Sequence, residues 1–106
     1  MLVVSRFRVA EADAGQFRSD LEQAVDALAA RPGHLGATLG RNLDDPTLWV
    51  LTTRWEHVGA YRRALSSYDV KLRAVALLSR ALDEPSAYEV VEPGTDLNVA
   101  VTRSLP

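Results

Sequence analysis

Leu2 to Val9 alternates, with Val3, Ser5, Phe7 and Val9 on one face and Arg6 and Arg8 on the other, and this predicts a strand. Asp13 stands three residues before Gln16, the spacing of a capping box, so a helix is expected to start there. Phe17, Leu21, Ala24, Val25, Leu28 and Ala29 then recur at helical spacing over residues 14–30, with Arg18, Asp20, Glu22 and Asp26 elsewhere on the wheel. Arg31-Pro32-Gly33 ends that helix, because proline cannot continue the hydrogen-bond ladder and glycine opens a turn.

From His34 to Leu43 the pattern returns to period two. Leu35, Ala37, Leu39, Arg41 and Leu43 fall on one side, and His34, Gly36, Thr38, Gly40 and Asn42 on the other. Asp44-Asp45-Pro46 makes a turn, and Thr47 to Trp55 runs back as the second arm of a hairpin. Trp49, Leu51, Thr53 and Trp55 share one of its faces; Leu48, Val50, Thr52 and Arg54 share the other. Apolar residues on both faces require cover on both sides of the sheet, and helices supply only one.

Val58 to Ser66 and Val70 to Leu82 read as a helical region broken near Ser66-Ser67-Tyr68-Asp69, with Asp69 or Ser67 as cap of the second piece. Val70, Ala74, Leu77, Leu78 and Ala81 form its apolar stripe, and Asp83-Glu84-Pro85 stops it. Ala87 to Val91 is a fourth short strand. The order β-α-β-β-α-β defines an α+β, ferredoxin-like fold with an antiparallel sheet over residues 1–91. Residues 92–106 hold a further strand-like run, Leu97 to Val101, which fits a C-terminal arm on a partner's sheet edge or a frayed tail.

Composition narrows the function. The 106 residues are 47% hydrophobic and 25% charged with a formal charge of -2, and the basic residues are scattered, so nucleic acid is not an expected partner. No apolar run is long enough to span a membrane, no secretory signal pattern opens the chain, and a cytoplasmic location is expected. With no cysteine, thiolate chemistry and disulfides are excluded. No metal site is expected, since neither histidine has a second ligand at suitable spacing, and no nucleotide-binding or nucleophile-elbow motif is present.

The aromatic stretch Thr47 to Tyr61 holds most of the candidate chemistry. Trp55 and Trp49 suit an aromatic pocket wall with an indole N–H for a substrate oxygen, or else plain sheet-core packing. Tyr61 is placed to hydrogen-bond a phenol or enol, or to bury its ring and wet its hydroxyl. Arg73 offers a fixed cation that would favour a bound phenolate, or is a solvated helix residue. His57 stands where a helix begins, as its cap or as a general base at a pocket mouth.

Arg31-Pro32-Gly33 before a strand, a polar turn, then a strand ending in Trp55-Glu56 and followed by Ala60-Tyr61-Arg62 resembles the antibiotic biosynthesis monooxygenase family of the dimeric αβ-barrel superfamily. The resemblance implies a homodimer packed sheet against sheet, a dimeric αβ-barrel, which supplies the missing cover. It also implies oxidation of a small aromatic phenol, anthrone or quinol with O2 and no metal, flavin or other cofactor. Carried onto this chain, the family pattern makes Trp55, Tyr61 and Arg73 the catalytic group; Trp49, Leu51, His57 and Tyr68 stand beside them as candidate substrate-binding residues. The family pattern has an Asn four residues before the Trp, where this chain has Leu51. A non-catalytic homodimeric ligand-binding module of the same fold is the competing reading, and Leu51 is the residue that favours it. The haem-degrading branch of the family uses a histidine on the second helical region, and Val70 to Leu82 contains none.

Overall fold

The computed structural model describes residues 1–97. The chain runs β1 (Leu2–Arg8), a short 3-10 turn (Glu11–Asp13), α1 (Ala14–Ala29), β2 (His34–Arg41), β3 (Leu48–Trp55), α2 (Val58–Ser66), a helical segment α3 in three pieces (Tyr68–Val70, a π-helical stretch Lys71–Val75, and Ala76–Leu78), and β4 (Ala87–Tyr88). The strands form one antiparallel sheet in the order β2-β3-β1-β4. This is the ferredoxin-like arrangement expected from the element order.

The helices cover one sheet face. Val3, Phe7 and Val9 from β1 and its end, with Trp49, Leu51 and Trp55 from β3, pack against Phe17, Leu21, Ala24, Ala27 and Leu28 of α1 and Val70, Ala74 and Leu77 of α3. On the opposite face, Leu2, Val4, Leu48 and Val50 are only half-buried.

Several local expectations change. Asp13 makes no side-chain cap; the 3-10 turn reaches Asp13, whose own amide donates to the Ala10 carbonyl, and Gln16 Nε2 donates to Asp20 instead. The alternation assigned to β2 is interrupted by a bulge between His34 and Gly36. His34 therefore pairs with Trp55 and lies against its ring, on the same face as Ala37 and Leu39, while Leu35 turns outward and is 54% exposed. Ser67 rather than Asp69 caps α3, its hydroxyl accepting from the Val70 amide at 3.4 Å.

The α3 segment ends at Leu78 and does not reach Leu82. The Leu82 amide donates to the Arg6 carbonyl of β1 at 2.8 Å, and a chain committed to that bond cannot continue the helix. β4 is two residues long rather than five, with Tyr88 and Ala87 set antiparallel to Leu2 and Val3 of β1. The strand-like run expected over 97–101 lies, apart from Leu97, outside the described residues.

The Pro32-Gly33 turn fixes α2 against the sheet. Gly33 has φ +88°, the Glu56 amide donates to its carbonyl at 2.9 Å, and a Cβ built on it would stand 2.5 Å from the Ala60 Cβ of α2. Only glycine tolerates both that dihedral and that approach.

Candidate active-site cavity

Between the sheet and the helices lies a cavity of about 390 Å³. Its floor is the inward face of the two central strands: Val3 and Ser5 of β1, and Leu51 and Thr53 of β3, with Ser5 directly across from Leu51 and Val3 from Thr53. Leu28 and Tyr61 supply walls from α1 and α2. The remaining wall is Leu78 with the irregular segment that crosses back to β1, including Leu82, Asp83, Glu84 and Ser86.

The polar groups facing this space are mainly neutral hydroxyls. Ser5 and Tyr61 make no side-chain hydrogen bond to another described residue. Burial pushes the Tyr61 phenol above its ordinary pKa, so near neutral pH it is a protonated donor and acceptor and not a base. At the rim, the Arg6 guanidinium grips Glu84 through two bonds of 2.6 and 2.8 Å and holds that carboxyl below its usual range, which leaves Asp83 as the rim carboxylate without such a partner. Among the described lining residues there is no Lys, Arg or His.

Trp55 stands behind this lining. It is 1% exposed, its ring meets His34 edge-on at 5.0 Å and Tyr61 at 5.7 Å, and its indole Nε1 donates to Thr53 Oγ1 at 2.9 Å. The indole N–H expected to face a substrate is thus already spent on a neighbour two residues away on the same strand face. Leu51 and Tyr61 are the expected site residues that the fold brings to the cavity.

The others lie elsewhere. Arg73 points to a separate groove with Asp20, Gln23 and Arg80, where it pairs with Asp69 at 3.2 Å; the inward positions of α3 are Val70, Ala74 and Leu77. Trp49 packs edge-on against Phe17 with the Arg41 guanidinium 5.2 Å from its ring centroid, away from Tyr61. His57 is the N-cap of α2, its Nδ1 accepting from the Ala60 amide at 3.1 Å. Tyr68 is 80% exposed.

Ser5 and Thr53 line the cavity without having been singled out from the sequence, although both stand out as polar residues on otherwise apolar inward faces. Sequence reasoning also missed the Leu82 to Ser86 wall, which carries no pattern before the chain folds back. No group of three or more His, Cys, Asp or Glu among the described residues is gathered to hold a metal.

A ferredoxin-like protein with one helix-covered sheet face and a hydroxyl-lined cavity beneath it is the class these features define. The chain belongs to the antibiotic biosynthesis monooxygenase family, whose model matches residues 1–72. That match takes in Ser5, Leu51, Thr53, Trp55 and Tyr61 and stops short of the wall formed by residues 78–86.

Among solved structures, the chain is similar to SnoaB of Streptomyces nogalater, described as a cofactor-independent oxygenase. The two share 27% identity over 89% of this chain and 96% of that one, with a TM-score of 0.71. A conserved protein from Methanosarcina mazei Go1 shares the fold at 19% identity, covering 81% of this chain and 84% of that one with a TM-score of 0.66. A 42.8 kDa protein in the whiE locus of Streptomyces coelicolor is 37% identical over 46 residues, which is 43% of this chain but only 12% of that protein's length. In addition, no helix among the described residues is long and apolar enough to cross a membrane.

Proposed function

We propose that the protein is a cofactor-independent monooxygenase that oxidises a neutral phenol, anthrone or quinol with O2 in the cavity beneath Tyr61. The observation that carries this reading is the cavity itself, an apolar space between sheet and helices furnished with neutral hydroxyls, in a chain of the monooxygenase family with a cofactor-independent oxygenase among its structural relatives. For an anthrone the balance is simple. The CH2 opposite the carbonyl becomes a second C=O, one oxygen atom of O2 enters the product, the other leaves as water, and the substrate supplies all the electrons.

The protein's part is to bind the ring, hold its oxygen by hydrogen bonds, and exclude bulk water from the intermediate. Leu28, Leu51 and Leu78 suit the ring, and the Tyr61 hydroxyl suits its oxygen. Asp83, without an ion-pair partner at the rim, is suited to accept the proton that leaves the activated carbon. In this reading Trp55 acts from behind the lining, and Arg73 takes no direct part.

The same reading includes a homodimer, a dimeric αβ-barrel. The half-buried outer residues Leu2, Val4, Leu48 and Val50 support it, since a second sheet laid on them would supply the cover that the helices do not.

The test is O2 uptake by the pure protein with a panel of anthrones and quinols, repeated with Tyr61→Phe. Uptake above the protein-free rate, reduced in the variant, is the expected result. No uptake above that rate across the panel returns the protein to the competing reading, a homodimeric binding module in which Leu51 has replaced a polar group needed for chemistry.

A further inference from the structure

The geometry points to Thr53 as the group that donates a hydrogen bond to the ligand's oxygen from the cavity floor, with Trp55 as the positioning residue that holds the Thr53 hydroxyl in place. This rests on the cavity being the substrate site, as proposed above. Thr53 is the one buried polar side chain among the described core residues, at 3% exposed, and it lines the cavity. Its Oγ1 accepts from the Trp55 Nε1 at 2.9 Å, and no described residue accepts its proton.

Buried hydroxyls are rarely left with an idle donor, and the open direction here is the cavity. The bond from the indole does two further things. It fixes the hydroxyl rotor by occupying the oxygen, and it polarises the O–H so that its proton is a better donor in a site with little water. Trp55 is itself locked between His34 and Tyr61 and cannot swing its N–H into the cavity without leaving both rings. Leu51, two residues earlier on the same face, offers no polar atom, so Thr53 is the polar side chain that β3 presents to the cavity.

The ligand chemistry follows from the lining. A neutral ring bearing a carbonyl or phenolic oxygen suits a floor of hydroxyls, whereas a carboxylated ring would meet Asp83 with no described cation in the lining to offset it.

The test uses two ligands of matched shape, anthrone and 9,10-dihydroanthracene, which lacks the oxygen, each bound by equilibrium dialysis without O2. The wild type is expected to prefer anthrone, with roughly three- to tenfold of the preference coming from the Thr53 hydrogen bond. Thr53→Val, nearly isosteric, is expected to lose that share of the preference while keeping the share due to Tyr61, Thr53→Ser to keep both, and Trp55→Phe to reduce it. A merely structural role would weaken both ligands alike and leave the ratio standing. An unchanged ratio in Thr53→Val, or none in the wild type, overturns the assignment while leaving the cavity as the binding site. An unchanged ratio in Trp55→Phe overturns the positioning role. If the wild type binds neither ligand, this assignment and the proposed function fall together.

Discussion

Gly33→Ala is the substitution whose effect is most directly computed from the geometry. The new methyl would meet the Ala60 Cβ at 2.5 Å, and the backbone would have to hold an alanine at φ +88°. The left-handed conformation costs about 1–2 kcal/mol for a residue with a Cβ. Overpacking against the buried Ala60 of α2 costs about 1–3 kcal/mol. Reduced freedom of the unfolded chain returns about 0.4–1 kcal/mol. The net loss is about 2–4 kcal/mol, a large part of the stability of an ordinary domain.

The next atom in line is the Ala60 Cα at 3.8 Å, an ordinary contact, so Ala60→Gly removes the clash and leaves the dihedral strain. Ala60→Gly alone costs about 1 kcal/mol for a helical glycine, and more for the lost methyl. Urea unfolding of the four proteins in the cycle should therefore show the double variant about 1–3 kcal/mol more stable than the sum of the two single losses. Additive losses, or a Gly33→Ala protein as stable as the wild type, would refute the reasoning. Because Tyr61 follows Ala60 on α2, the same displacement should weaken ligand binding in the cavity.

Two further outcomes are expected. Sedimentation at micromolar concentration should give about twice the 11.6 kDa of one chain, and a species of one chain's mass alone would rule out the sheet-to-sheet dimer. His34 has its Nε2 buried without a partner, and burial, with the charge of Arg54, lowers its pKa. The unfolded chain then binds the proton more readily, so the contribution is fully present above the unfolded value near 6.5 and is lost as pH falls below it. The unfolding free energy from urea titrations should fall between pH 7 and pH 5 with a slope of at most about 1.4 kcal/mol per pH unit from this group, and His34→Gln should flatten the fall. An identical slope in that variant would remove His34 as the cause.

The fold was legible in the sequence because hydrophobic period is a direct readout of burial. Phe17, Leu21, Ala24 and Leu28 repeat as a helix face repeats, and Trp49, Leu51, Thr53 and Trp55 alternate as a strand face alternates. The β2 bulge was not legible, since one extra residue at Leu35 reverses the side chains before it without changing composition. The end of α3 is set by a tertiary bond, the Leu82 amide on the Arg6 carbonyl, and no local signal carries it.

The site was half legible. Tyr61 and Leu51, singled out through the resemblance, both line the cavity. Arg73 does not, because a helix wheel shows which residues are polar but not which neighbour each polar face meets, and here that neighbour is Asp69. Trp55 lies behind the lining and not in it. Its hydrogen bond to Thr53 is a choice of rotamer that sequence does not specify.

The central claim is that O2 reacts with the bound ring within this protein and needs nothing else. Oxidation of anthrone under ¹⁸O2 by metal-free, flavin-free protein tests it most directly, with the product analysed by mass spectrometry. One labelled oxygen per quinone, formed faster than without protein and more slowly by Tyr61→Phe, is the predicted result. Product formed only at the protein-free rate, or without label from O2, would contradict it.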